Sequence, residues 1–140
     1  MADSETFHLS IVTPERAVLE CEARSAVFPA WDGEIGILCN RAPLLCRLGV
    51  GRLKAETVDA GKRELFIDGG FGQMVENRLT ILTEQAKEIS ELDREEARQA
   101  LQAAGEMSAA DERAFGERQR AMDRARAVLR LTARSGGGGE

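Results

Sequence analysis

The chain has 140 residues, 43% apolar and 31% charged, with a formal net charge of −5. This is the composition of an ordinary globular domain with one modest core. Charged residues interrupt every apolar stretch short of the roughly 18 residues a membrane span needs. The acidic opening MADSETFHLS lacks the basic and apolar parts of a secretory leader, and the negative balance argues against a general nucleic-acid binder.

Residues 5–85 read as strands. Phe7, Leu9 and Ile11 alternate with His8, Ser10 and Val12, the period-2 signature of a strand with one buried face. Thr13-Pro14-Glu15 breaks that run. Residues 16–20 and 25–28 form two short extended runs, the second ended by Pro29. Trp31-Asp32-Gly33 is turn chemistry, followed by a strand over 34–38, a turn over 40–43 and the apolar Leu44-Leu45-Cys46. Residues 49–58 alternate, Asp59-Ala60-Gly61-Lys62 suits a hairpin turn, and 63–68 returns. Gly69-Gly70-Phe71-Gly72 marks a corner or bulge, and residues 78–83 form the last strand. The spacing predicts a β-sandwich or flattened barrel of about ten strands.

Beyond residue 88 the period changes to that of a helix. Asp93 followed by Glu96 is a capping pair, and Ala97, Leu101 and Ala104 share one face up to Gly105, a candidate C-cap. Ser108 with Asp111 repeats the cap. Phe115, Met122 and Leu129 then recur every seven residues beside Ala114, Ala121 and Val128. The short connection predicts an antiparallel αα-hairpin. The expected organisation is a β-sandwich over 1–88, a helical hairpin over 89–134 and a flexible glycine-rich tail over 135–140. Alanine-rich faces bury little area, so the hairpin should be marginal alone and should dock on the sandwich, on a partner, or on each in turn.

Residues 1–90 carry ten basic and fourteen acidic side chains, residues 91–108 two and five, and residues 109–140 seven and five. The last helix is thus a basic segment in an acidic chain. Its arginines, Arg118, Arg120, Arg124 and Arg126 among them, suit a solvated face, docking on an acidic protein surface, or RNA.

No enzymatic constellation is legible. His8 is the single histidine, and no local motif supplies it with a nucleophile or carboxylate. The glycine pairs lack the spacing and following helix of a phosphate loop. Three cysteines, Cys21, Cys39 and Cys46, form no Cys-x-x-Cys pair; they read as small buried apolar groups in a reducing compartment, without a metal. Trp31 in a turn is either a solvated loop residue or part of a contact loop.

Ile11-Val12-Thr13-Pro14-Glu15-Arg16, Gly33-Glu34-Ile35-Gly36-Ile37-Leu38 with Ala42-Pro43-Leu44-Leu45, Phe66-Ile67-Asp68-Gly69-Gly70-Phe71 and Asn77-Arg78-Leu79-Thr80-Ile81-Leu82 occur in order. Together with the hairpin they resemble the epsilon subunit of bacterial F-type ATP synthase over residues 6–134. The resemblance implies a non-catalytic rotor subunit of the central stalk, bound to the gamma subunit and the c-subunit ring and peripheral on the cytoplasmic face of the bacterial inner membrane. It places Trp31, Gly33, Glu34, Ile35 and Gly36 towards the c ring, and Arg41, Pro43, Leu44 and Leu45 towards gamma. It implies that the hairpin can fold down or extend along gamma, bringing Arg118, Arg120, Arg124 and Arg126 near an acidic loop of the catalytic beta subunits to restrain ATP hydrolysis. Two departures stand out. Cys39 and Arg41 replace the family's Pro and His, and Glu96 stands where ATP-binding members carry Arg, which argues against regulatory ATP and any cofactor. Without the resemblance, the residues also fit a small β-sandwich binding module, or an adaptor with a coiled-coil-forming helical appendage.

Overall fold

A computed structural model describes residues 5–137, with side chains described through residue 133. The chain divides between Glu88 and Ile89 into two compact units. The first holds nine strands: β1 (Phe7–Val12), β2 (Ala17–Ala30), β3 (Gly33–Leu38), β4 (Leu44–Arg47), β5 (Val50–Thr57), β6 (Gly61–Asp68), β7 (Phe71–Val75), β8 (Arg78–Leu82) and β9 (Ala86–Glu88). They follow the order β4-β7-β8-β1-β2-β5-β6-β9, with β3 also on β2. Among the described residues the β1–β8 pairing alone is parallel.

Alternation builds the core. Phe7, Leu9 and Ile11 of β1 are fully buried, and they meet Phe28, Leu53, Leu65, Ile67, Met74, Leu79 and Ile81 in one cluster. Each such side chain stabilises by roughly 1.5–3 kcal/mol relative to exposure. The opposite side chains of β1, His8 and Ser10, stay partly exposed. Cys21, Cys39 and Cys46 are free thiols, half-buried against this core.

β2 is one fourteen-residue strand, where the sequence pattern gives two short runs, 16–20 and 25–28, the second ended by Pro29. It pairs with β1 up to Ala23, bulges between Ala23 and Ser25, and then runs on with β3. Pro29 is tolerated because the β5 ladder ends at Val27, and the link beyond it, Gly49 N–H to Pro29 O at 2.9 Å, uses the proline's carbonyl. β7 and β9 are strands that the sequence pattern does not announce. β7 starts at the glycine corner, where Gly70 has φ +101° and an added Cβ would fall 1.8 Å from Leu82 O. Only glycine permits that approach.

The second unit opens with a short 3₁₀ turn, Ile89–Glu91, followed by α1 (Arg94–Gly105) and α2 (Glu112–Gly137). Asp93 caps α1, its side chain accepting the Glu96 N–H at 3.1 Å. Gly105 is the last helical residue and Glu106 the cap, still right-handed. The connection is longer than the sequence pattern suggests. Ser108 accepts only the Ala110 N–H, whereas Asp111 accepts that of Ala114 at 2.8 Å and starts α2. α2 packs on α1 and touches the 3₁₀ turn. It continues through residues 135–137 of the expected tail; the rest of that tail lies outside the described residues.

Candidate functional site

The sequence directs attention to two loops of the sandwich and one helix. In the first loop, Ala30 pairs with Gly33 around the two-residue turn Trp31-Asp32. The Trp31 N–H donates to Arg47 O at 3.0 Å, which ties the turn to the end of β4. Trp31 is 69% exposed. Gly33, Glu34 and Gly36 are also exposed, while Ile35 is half-buried against the core. The exposed members form a contact-capable tip, and Ile35 anchors it.

The second loop enters β4. Asn40 stands in the left-handed region at φ +61°, and its N–H donates to Asn77 Oδ1 at 2.7 Å. Arg41 and Pro43 are exposed. Leu44 packs on the core, and Leu45 is 69% exposed on the outer face. The two loops meet electrostatically at Cys46. Burial pushes its thiol up, with Asp32 adding to the rise, while a hydrogen bond with the Gly72 backbone and the Arg41 charge oppose it.

Leu45 is not alone on its face. Arg47 pairs with Phe71, Phe71 with Leu82, and Leu82 with Val12, so these side chains form one cross-strand row. Leu45 lies diagonally beside that row, opposite Gln73, and Val75 lies on the same face of β7. Phe71 is 54% and Leu82 50% exposed. A cleft of about 410 Å³ opens at the end of the row, lined by Val12, Pro14, Gly70, Phe71 and Leu82 among others. Clustered apolar exposure on one face marks a partner surface. The sequence pattern misses Phe71 and Leu82, because the glycines around Phe71 read as a corner. The usable signal was the alternation of Phe71, Gln73 and Val75 with Gly72 and Met74.

The helix places its arginines apart. At about 100° per residue, Arg120 and Arg124 share one side of α2, while Arg118 and Arg126 point away from it. Arg118 donates to Gly105 O of α1 at 3.3 Å. Arg120 and Arg126 are exposed and Arg124 is half-buried. On α1, Arg94 donates to Leu129 O of α2 at 2.9 Å and approaches Thr132 Oγ1 at 3.4 Å. Arginine–carbonyl bonds therefore link the helices at both ends of α1. Arg98 pairs with Glu95. Among the described residues no group of three or more His, Cys, Asp or Glu side chains is placed to hold a metal.

The family described as "ATP synthase, Delta/Epsilon chain, beta-sandwich domain" matches residues 6–89. The ATP synthase epsilon chain of Rhodopirellula baltica is 38% identical over 122 residues, covering 87% of this chain and 94% of that one. That of Moorella thermoacetica is 34% identical over 126 residues, covering 90% of this chain and 89% of that one. Among solved structures, a chain of the Euglena gracilis mitochondrial ATP synthase OSCP/F1/c-ring assembly aligns with TM-score 0.78 at 21% identity, over 91% of this chain and 82% of that one. A chain of the Tetrahymena thermophila mitochondrial ATP synthase central stalk and c-ring aligns with TM-score 0.62 at 17% identity, over 91% and 94%. At such identities the structural likeness is one of fold.

Proposed function

This chain belongs to the ATP synthase epsilon chain family, and we propose that within that complex it is the non-catalytic rotor subunit that joins gamma to the c ring. In this reading it sits peripherally on the cytoplasmic face of the bacterial inner membrane and is held there through its partners. The sandwich transmits rotation to the catalytic sites without chemistry of its own, and the hairpin restrains ATP hydrolysis.

The observation that carries the reading is the outer face built by Leu45, Phe71, Val75 and Leu82, each more than a third exposed. Single exposed apolar residues need no explanation, but a contiguous group on a rigid sheet stays stable in water at the expense of solubility and suits a permanent partner. The face continues from Arg41 and Pro43, the segment assigned to gamma. The exposed tip at Trp31 and Glu34 supplies an amphipathic contact for the ring. The hairpin supports the gating role, since among its described residues the buried ones are Ala97, Ala104, Ala125 and Ala127. Arg120 and Arg126 are exposed cations that suit a carboxylate-bearing loop of the beta subunits.

The direct test is copurification with gamma under mild conditions; a folded chain that fails to bind gamma overturns the reading. Truncation after Lys87 tests the gate. The assembled complex should then hydrolyse ATP faster, and unchanged hydrolysis removes the inhibitory role while leaving the structural one.

A further inference from the structure

We infer that Asn77 is a positioning residue that sets the shape of residues 40–45 and, through them, the surface offered to gamma. The inference rests on the docking role proposed above for that segment. Glu76 and Asn77 are the two residues of the β7–β8 turn, with Val75 paired to Arg78 around them. Both have positive φ, +51° and +62°, as the favoured two-residue hairpin turn requires. Asn or Gly would satisfy the turn itself. The Asn77 side chain does something else.

Its Oδ1 accepts the Asn40 N–H at 2.7 Å, and its Nδ2 donates to Thr6 O at 2.7 Å. Its backbone carbonyl accepts the His8 N–H at 3.1 Å. The amide orientation is fixed, because a backbone N–H can only donate and a carbonyl can only accept. One side chain therefore bolts the entry of β1 to the loop before β4, across 71 and 37 residues of sequence. Asn40 is itself left-handed, a conformation of order 1–3 kcal/mol above the favoured ones for a residue with a side chain. Its N–H bond to Asn77 holds it there. The direction the backbone takes at Asn40 determines where Arg41 and Pro43 stand and how β4 enters with Leu45 outward. With Asn77 truncated, the exposed Asn40 N–H can turn to water, and the segment gains alternative conformations while the turn survives.

The experiment compares full-length wild type with Asn77→Gly, Asn77→Asp, Leu45→Ala and the Asn77→Gly/Leu45→Ala pair, measuring gamma affinity, unfolding temperature and amide exchange at Asn40. Asn77→Gly keeps the left-handed turn but gives up both side-chain bonds, so the unfolding temperature should fall by several degrees while the chain stays folded, and the Kd for gamma should rise about tenfold. Exchange at Asn40 should quicken. Asn77→Asp keeps an acceptor for the Asn40 N–H but turns a carboxylate oxygen towards Thr6 O, where Nδ2 had donated, so it should recover only part of the affinity while slowing Asn40 exchange relative to Asn77→Gly. In the double variant the loss should be smaller than the product of the single losses, because both act through one segment. Wild-type affinity in Asn77→Gly, or losses that simply multiply, overturns the inference. If wild type does not bind gamma, the docking reading fails, and Asn40 exchange in the free chain still decides whether Asn77 positions the loop.

Discussion

Replacing Gly70 with Ala should cost the sandwich about 3–6 kcal/mol, as the sum of two terms. The added Cβ would lie 1.8 Å from Leu82 O and 2.8 Å from Leu82 C, where contacts below 3.0 Å are not tolerated. The clashing atoms are backbone, so relief requires β7 to move against β8 by more than an ångström. That motion breaks the Phe71–Leu82 pairing and the Leu48 N–H bond to Gly70 O, now 2.8 Å. Two or three lost hydrogen bonds cost about 1 kcal/mol each, and φ of +101° adds about 1–3 kcal/mol for a residue with a side chain. A sandwich of this size has about 4–13 kcal/mol in total at the usual stability per residue, so the variant should be close to unfolding. All the described strands lie in the sandwich unit, so loss of the β-sheet circular dichroism signal reports urea unfolding of that unit. Gly61→Ala is the control: φ is +67° there, but nothing lies within 4 Å of the added Cβ, so only backbone strain of about 1 kcal/mol remains. A Gly70→Ala midpoint no lower than that of Gly61→Ala refutes the close-approach argument.

The outer face should separate binding from folding. Phe71→Ser/Leu82→Ser should lower stability by about 2–3 kcal/mol, the worth of two half-buried, paired side chains, yet leave the chain folded and weaken gamma binding by about 30-fold or more in denaturant-free buffer, where it is fully native; unchanged binding would make these residues structural only. Arg94→Gln should cost the hairpin about 1 kcal/mol, read as faster amide exchange along α1 with the sandwich amides unaffected. Burial pushes the Cys21 and Cys46 thiols up, and the thiolate is the reactive form, so both should alkylate more slowly in the folded chain than in urea. Because the folded state holds these protons more tightly, stability from them is fully present below the ordinary thiol value of roughly 8.5. It is lost as pH rises from there through the raised folded values. The Cys21→Ala/Cys46→Ala variant should lack that part of the decline, and identical pH profiles would refute the assignment.

What the sequence makes legible follows from the range of the interaction. Alternation at Phe7, Leu9 and Ile11 is readable because one face must be dry and the other wet. Asp93 is readable as a cap because its bond is three residues away. β2 is obscured because a proline usually ends a strand, and only the tertiary end of the β5 ladder makes Pro29 harmless. β7 is obscured because Gly72 faces inward where a larger side chain would give the pattern away. The role of Asn77 spans 37 and 71 residues, and no local pattern carries it. The arginines of α2 are legible as a charge excess. Which guanidinium serves the hairpin and which faces outward depends on where α1 lies, as Arg118 and Gly105 show.

The two units differ in what holds them, and that difference bears on the proposed gate. The sandwich core contains Phe7, Phe28, Leu9, Ile11, Leu53 and Ile81, all fully buried. The helical unit buries alanines and links its helices through the Arg94–Leu129 and Arg118–Gly105 bonds. The guanidinium–carbonyl bonds lie at the exposed surface and are each a small term, and a carboxylate partner adds the attraction of opposite charge when it desolvates the same arginines, so several arginines engaged together can outweigh them. A few kcal/mol of differential affinity shifts a two-state equilibrium by two to three orders of magnitude, taking about 1.4 kcal/mol per factor of ten. An acidic partner surface is therefore strong enough to reset the hairpin and too weak to unfold the sandwich. Under the proposed function, regulation is then carried by α1 and α2, and the face at Leu45, Phe71 and Leu82 is left to hold gamma.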